Sequence, residues 1–133
     1  PFVATIIMGQ IKSQESMNPS LVFKDVSDKD FAVGLFRNTI NNNKEYEKII
    51  IEFARNWDIE RIAIMDQLFL KMAFAEILSM EDLPIKVSMN EYIEISKYYG
   101  SAKSKLFVNG LLDNAVKTFA GEGKIKKVGR GLV

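Results

Sequence analysis

The stretch IERIAIMDQLFLKMAFAEILSM, from Ile59 to Met80, has apolar residues on nearly every side of the helix that its spacing predicts. A helix that is hydrophobic all round lies at the centre of a fold, so this stretch predicts the central helix of a bundle. Asp58 precedes it and is expected to cap its N-terminus. Asp66 and Glu76 need an explanation, because a lone carboxylate in an apolar sector is costly unless it is paired. For Glu76 we expect an internal hydrogen bond.

Two helical patterns are predicted upstream of this centre. Residues 29–39 form the first, with Ser27 or Asp28 as its N-cap. Asn41-Asn42-Asn43 then tolerates the left-handed conformation that closes a helix, and a second helix is predicted over 45–54. Residues 2–11 fit a short helix or a strand almost equally well.

Downstream, the spacing of Ser88 and Glu91 predicts a capping box that opens a helix over 89–99. Gly100 is placed to take a left-handed position after its last turn. A last helix follows within 101–119, capped by Ser101 or Ser104. The chain is therefore predicted to be all-α, a compact bundle of about five to six helices in a single domain over 1–133.

Asn109-Gly110 interrupts the last helix with a pair that is typical of hairpin turns. The surrounding apolar residues recur every four positions, however, which favours a helix. A glycine inside a helix costs about 1 kcal/mol relative to alanine, so Gly110 calls for a reason. We favour a structural reason, in which the missing side chain lets a neighbouring helix approach and the Asn109 amide bonds a backbone group.

The composition narrows the possible functions. The 133 residues contain no cysteine and no histidine, which excludes thiolate and imidazole chemistry. No apolar run reaches the length of a membrane span, so no membrane insertion is expected. Glu91 and Glu94 are one helical turn apart but make no convincing acid-base pair, because Glu91 is already assigned to a cap. We therefore predict a protein that is not an enzyme and needs no cofactor or metal, with a cytoplasmic location.

Three motifs in the second half resemble the NusB family of bacterial transcription antitermination factors. They are Pro84-x-x-Val87-x-x-Asn90-Glu91, Lys97-x-x-Gly100, and Ser104-x-x-Phe107-Val108-Asn109-Gly110-x-Leu112-Asp113. The resemblance covers roughly residues 27–119. It implies an all-helical RNA-binding protein that pairs with the ribosomal protein NusE, binds boxA in ribosomal RNA transcripts and joins an antitermination complex with RNA polymerase.

The resemblance also implies where RNA binds. Phe107 is expected to stack on a splayed base, beside Lys103, Ser104 and Lys105, with Lys86 adding to the electrostatic surface. The plainer alternatives are that Phe107 belongs to the core and that the lysines form an ordinary solvated face. On the RNA-binding interpretation, Gly110 could instead leave a gap for the RNA backbone beside Phe107.

Partner binding is assigned to Asp66 and Glu60, which the resemblance places near the NusE side. An internal salt bridge of Asp66 with a lysine or arginine is the plainer alternative. Other roles for the same fold stay open, namely an accessory domain of a ribosomal RNA cytosine methyltransferase or a helical scaffold that binds protein only.

The sequence departs from the family pattern at its beginning. The arginine-rich N-terminal helix of the family is not found here, so we expect either that the chain is a fragment that lacks it or that this variant binds RNA differently. Lys103 stands where the family often has an acidic residue, and this exchange favours phosphate binding by Coulomb attraction. Residues 120–133, rich in Gly and Lys, are predicted to form a mobile basic tail.

Overall fold

The structure is a computed structural model that describes residues 23–55 and 58–128. Within these residues the chain forms helices and no strand, which confirms the predicted all-α fold. The predicted element over 2–11 lies outside the described residues. The helices are α1 (Val26–Asn41), α2 (Asn43–Ala54), α3 (Ile64–Ser79), α4 (Ile85–Tyr99) and α5 (Ser104–Gly121), with a 3₁₀ turn at Ile59–Arg61 before α3.

Internal contacts divide the chain into two units, Pro1–Gly34 and Leu35–Val133. In the described part of the first unit, Asp25 caps the start of α1. Its Oδ1 accepts hydrogen bonds from the Ser27 hydroxyl at 2.6 Å and from the Asp28 backbone amide at 3.0 Å. These bonds, with the Ser27 hydroxyl as the larger cause, lower the pKa of Asp25. The predicted caps, Ser27 and Asp28, lie inside the helix instead, because Asp25 supplies the accepting oxygen.

The centre of the second unit is α3, which packs against α2, α4 and α5. Leu70, Phe74 and Ile77 are completely buried. The Phe74 ring lies 6.1 Å from the ring of Tyr46 and 5.9 Å from that of Phe119, centroid to centroid. Tilted and edge-to-face pairs of this kind stabilise a core beyond the area that they bury. The prediction of a central helix is confirmed.

The start of α3 differs from the prediction. The helix begins at Ile64, and the residues before it form a 3₁₀ turn that ends in extended backbone at Ile62. The Gln67 side-chain amide stabilises this turn by donating to the carbonyl oxygens of Ile59 at 3.0 Å and Ile62 at 2.9 Å. Asp58 therefore precedes the 3₁₀ turn, where its side chain makes no capping hydrogen bond.

Two other helix boundaries also correct the prediction. Helix α4 begins at Ile85, directly after Pro84, whose carbonyl accepts from the amides of Val87 at 3.1 Å and Ser88 at 3.2 Å. Ser88 is thus a buried residue of the first turns, and the predicted capping box is wrong. Between α1 and α2, Asn42 has φ −106° and ψ 15°, so the break needs no left-handed residue.

The C-terminal end of α3 is closed by two side chains. The Tyr92 hydroxyl donates to Glu76 Oε1 at 2.8 Å, which confirms the expected internal hydrogen bond of Glu76. Burial, and then the negative charge of Glu76, raise the pKa of Tyr92 far above its usual range. Lys127 Nζ donates to the carbonyl oxygens of Met80 at 2.7 Å and Glu76 at 3.2 Å. Part of the predicted mobile tail thus makes specific contacts with α3, whereas 129–133 lie outside the described residues.

None of the helices within residues 23–55 and 58–128 is both long and apolar enough to cross a bilayer.

Candidate nucleic-acid interface

A tight turn over residues 100–103 joins α4 to α5. Gly100 has φ −95° and ψ −174°, which is extended backbone, so the predicted left-handed conformation is wrong. The glycine is needed for space instead. A Cβ at this position would lie 2.4 Å from Ser104 Oγ and 2.6 Å from the Ser96 carbonyl oxygen. The turn can therefore bring α5 close to the end of α4 only because residue 100 has no side chain.

Ser104 ties the turn together from inside. Its side chain is completely buried, and its Oγ accepts the backbone amide of Ser101 at 2.8 Å and lies 3.1 Å from Ser101 Oγ. The residue preceding α5 is Lys103, whose side chain makes no capping hydrogen bond. Ser104 and Ser101 thus bond each other rather than the orphan amides of α5, and the structure places the Ser104 hydroxyl in the turn rather than on the surface.

The start of α5 presents cationic and apolar side chains at the surface. Lys103 and Lys105 are exposed, and Leu106 is 78% exposed. Phe107 is half-buried and packs against the core. The structure therefore supports a part of each interpretation of Phe107, since the residue contributes to the core and also reaches the surface.

A groove of about 590 Å³ separates the start of α5 from the segment that leads into α3. Its apolar walls come from both segments, and the charged side chains on it are one carboxylate and two cations. We call it the α3–α5 groove. The residues that line it are Arg61, Ile62, Ala63, Asp66, Ser101, Lys103, Leu106 and Phe107.

Asp66 lies on this groove in the first turn of α3. The residue is only 6% exposed, and its Oδ1 is buried without a hydrogen-bond partner among the described residues. The ion pairs found in the described part of the chain do not include Asp66, which removes the support for an internal salt bridge there. A buried acceptor without a donor costs about 1 to 3 kcal/mol, so this carboxylate is an unsatisfied group at the edge of a cavity.

The structure brings the predicted RNA-binding and partner-binding residues only partly together. Phe107, Lys103 and Asp66 share the α3–α5 groove. Glu60 is exposed on the 3₁₀ turn next to Arg61. Lys86 is exposed in the first turn of α4, at the other end of that helix from the turn 100–103, which is about 20 Å away at the helical rise of 1.5 Å per residue.

Asn109 and Gly110 both lie on the exposed side of α5. A Cβ built at Gly110 meets no atom within 4 Å, so no neighbouring helix requires the glycine. The structural reason that we favoured for Gly110 is therefore wrong, because the helix faces open space at this position. The pair lies one turn after Leu106 and Phe107, which line the α3–α5 groove.

Two residues of the groove were not singled out by the sequence analysis. Leu106 falls outside the four-residue apolar period of Phe107 and Leu111. A leucine that lies off the buried face of a helix indicates an exposed apolar contact, and this pattern could have identified Leu106. No sequence pattern distinguishes Arg61, because in the predicted helix over 59–80 it would be an ordinary charged residue of the first turn. Its position on the groove follows from the 3₁₀ turn.

Comparisons with known proteins agree on one family. The sequence model of the NusB family matches residues 6–117. Transcription antitermination protein NusB of Salinibacter ruber is 44% identical over 110 residues, covering 83% of this chain and 69% of the relative. The protein of that name from Chloroherpeton thalassium is 39% identical over 122 residues, covering 92% of this chain and 58% of the relative. The chain thus spans about three fifths to two thirds of the length of these relatives.

A solved structure gives the same answer for the fold. NusB of T. maritima superposes with a TM-score of 0.72 at 27% sequence identity, covering 92% of this chain and 89% of the other. The helical arrangement described above is therefore that of a known fold.

Proposed function

We propose that this chain, which belongs to the NusB family, acts in transcription antitermination by binding boxA-type single-stranded RNA together with the ribosomal protein NusE. Its relatives are named transcription antitermination proteins. The proposal extends to the complex with RNA polymerase, to a role without catalysis and to the cytoplasm, where bacterial transcription takes place.

The observation that carries the RNA-binding part is the surface at the start of α5. The exposed Lys103 and the half-buried Phe107 line a groove that also holds Arg61, and the exposed Lys105 lies between them in the first turn of α5. Single-stranded RNA is recognised by aromatic side chains that stack on bases and by cations that attract phosphates. The α3–α5 groove offers both within one turn of helix.

The individual residues have different roles in this proposal. Phe107 offers ring surface to a base, and Lys103 and Lys105 attract phosphates. Ser104 acts indirectly, because its buried hydroxyl holds the turn that positions these side chains. Lys86 lies too far from the groove to contact the nucleotide that binds there. It would contact the phosphate of a nucleotide farther along the RNA.

The NusE contact is proposed at the 3₁₀ turn before α3 and at Asp66 in the first turn of α3. Glu60 is exposed and available to a basic side chain of the partner. Asp66 is almost entirely buried, so a partner side chain would have to enter the α3–α5 groove to reach it.

A binding titration of fluorescent boxA RNA tests the proposal, with and without NusE. Phe107→Leu keeps apolar volume in the core and removes the aromatic face, so affinity should fall about tenfold, within the range of a stacked base, while the melting temperature changes little. Lys103→Ala with Lys105→Ala should reduce the salt slope by about 0.7 log units per lost phosphate contact.

Lys48→Ala is the matched control, because Lys48 is an exposed lysine on α2 and does not line the groove. It should leave both affinity and salt slope unchanged. If the Phe107 and lysine variants bind boxA as the unaltered protein does, the start of α5 does not contact RNA.

A further inference from the structure

We infer that the α3–α5 groove selects a guanine base of the bound RNA through the carboxylate of Asp66, a residue that lines the groove with Phe107 and whose Oδ1 is buried without a hydrogen-bond partner among the described residues. The inference rests on the proposed RNA-binding function and adds a base preference to it. It replaces the proposed NusE contact of Asp66 with an RNA contact and leaves Glu60 as the residue proposed to face NusE.

Asp66 is almost entirely buried among the residues that line the α3–α5 groove. Its Oδ1 is removed from water and accepts no hydrogen bond from the described residues. Arg61 and Lys103 line the same groove, yet neither forms an ion pair with Asp66. A ligand that carries N–H donors into the groove would satisfy this oxygen and gain a charge-assisted hydrogen bond.

The walls of the groove indicate what kind of ligand carries these donors. Ile62, Ala63, Leu106 and Phe107 provide apolar and aromatic surface, and the volume of about 590 Å³ is ample for a flat heterocycle. A ribonucleotide base that is splayed out of its stack presents two flat faces and carries its polar groups along its edges, including the Watson–Crick edge. The faces would lie against the apolar walls while the edge reaches Asp66.

The Asp66 carboxylate distinguishes among the four bases because it can only accept hydrogen bonds. Guanine has two adjacent donors, N1–H and the N2 amino group, which match the two carboxylate oxygens. Adenine and cytosine place a ring acceptor beside their amino group, and uracil places its N3–H between two carbonyl oxygens. In those three bases an acceptor would face the carboxylate and repel it.

The charges around the groove favour RNA over a basic side chain of a protein. Arg61 and Lys103 carry two positive charges against the one negative charge of Asp66. A lysine or arginine entering the groove would satisfy Asp66 but would meet these two cations. A guanine nucleotide brings a neutral base to Asp66 and an anionic phosphate to the cations, so every charge has a favourable partner.

Base substitution in boxA RNA tests the inference. Each guanine is replaced in turn by inosine, which lacks the N2 amino group, and by adenine. At one position we expect adenine to weaken binding about tenfold or more, as for loss of a bidentate base contact, and inosine to weaken it less. In Asp66→Asn the ratio of the two affinities, guanine over adenine, should fall to about one.

Glu52→Gln is the matched control, an exposed carboxylate on α2 that should keep the full preference for guanine. Circular dichroism verifies that each variant is folded. Binding of the inosine-substituted RNAs to the unaltered protein shows whether the protein recognises guanine. Equal affinities for all substituted RNAs would overturn the inference while leaving boxA binding intact. Loss of NusE binding in Asp66→Asn with an unchanged base preference would assign the groove to a protein cation. Failure to bind any boxA RNA would reject the proposed function together with the inference.

Discussion

The two ends of α3 treat a buried carboxylate in opposite ways. Asp66 and Glu76 lie on the same helix, and each residue is 6% exposed. Glu76 accepts a hydrogen bond from Tyr92 at a sealed end of the helix, whereas Asp66 Oδ1 has no partner among the described residues and lies beside an open groove. Burial alone therefore does not distinguish a structural carboxylate from one that is available to a ligand. The distinction depends on whether the protein supplies a hydrogen-bond donor and whether there is space beside the carboxylate.

The comparison is tested most strongly by removing each carboxylate. Glu76→Ala leaves the Tyr92 hydroxyl without its acceptor and opens a cavity, so we expect the free energy of unfolding to fall by about 3 kcal/mol. Asp66→Ala loses no hydrogen bond to a described residue and relieves the cost of the unsatisfied Oδ1, which offsets the space that the truncation leaves. The free energy of unfolding should therefore change by less than about 1 kcal/mol. Urea unfolding followed by circular dichroism measures both values under the same conditions.

A larger loss of stability for Asp66→Ala than for Glu76→Ala would reverse the comparison. Asp66 would then be a structural residue, and the α3–α5 groove would lose its unsatisfied carboxylate. Tyr92→Phe serves as a second measure of the sealed end, because it removes only the hydroxyl and should lower stability as well.

Gly100, in the turn before α5, and Gly110, within α5, are expected to give smaller changes in stability that have opposite signs. Gly100→Ala places a Cβ against Ser104 and the Ser96 carbonyl, so it should destabilise the protein by about 1 to 3 kcal/mol. Gly110→Ala meets open space in the middle of α5 and should stabilise it by about 1 kcal/mol. Thermal melts of the two variants should therefore shift in opposite directions.

A melting temperature that falls for both glycine variants would mean that α5 is packed more closely at Gly110 than the structure shows. A stabilised Gly110→Ala variant with weaker RNA binding would instead indicate that the bare backbone at this position contacts the ligand.

The central helix could be predicted from the sequence because its hydrophobicity on every side does not depend on which elements surround it. Its first residues could not. Ile59, Ile62 and Ile64 are as apolar as the residues that follow, and the 3₁₀ turn there depends on hydrogen bonds from Gln67 to the carbonyls of Ile59 and Ile62. The capping box at Ser88 failed for a related reason, since Pro84 already starts α4 one turn earlier.

The site was predictable in its parts but not in its assembly. The resemblance to the family pointed to Lys103 and Phe107 in the start of α5, and the structure places both at the surface groove. Asp66 was assigned to a separate contact, because the approach of residue 66 to residue 107 depends on how α3 and α5 pack. The turn at Gly100 sets that packing. Its extended backbone could not be predicted from the sequence, because a glycine at the end of a helix is equally compatible with a left-handed conformation.

The smallest test concerns the sealed end of α3, where burial lowers the pKa of Lys127 below its ordinary value of 10.5, with Glu76 the largest opposing cause. Because the folded protein then binds fewer protons than the unfolded chain between the two pKa values, stability from this group should rise with pH through that window. The excess stability of the unaltered protein over Lys127→Met, measured by urea unfolding from pH 8 upward, should therefore increase slightly as pH approaches 10.5. Lys126→Met, at an exposed neighbour, gives the effect of removing one surface charge. A difference that stays flat would mean that Lys127 is solvated and that the end at Glu76 is open. A difference that falls with rising pH would mean that the charge of Glu76 and the carbonyl hydrogen bonds stabilise charged Lys127 more than burial destabilises it.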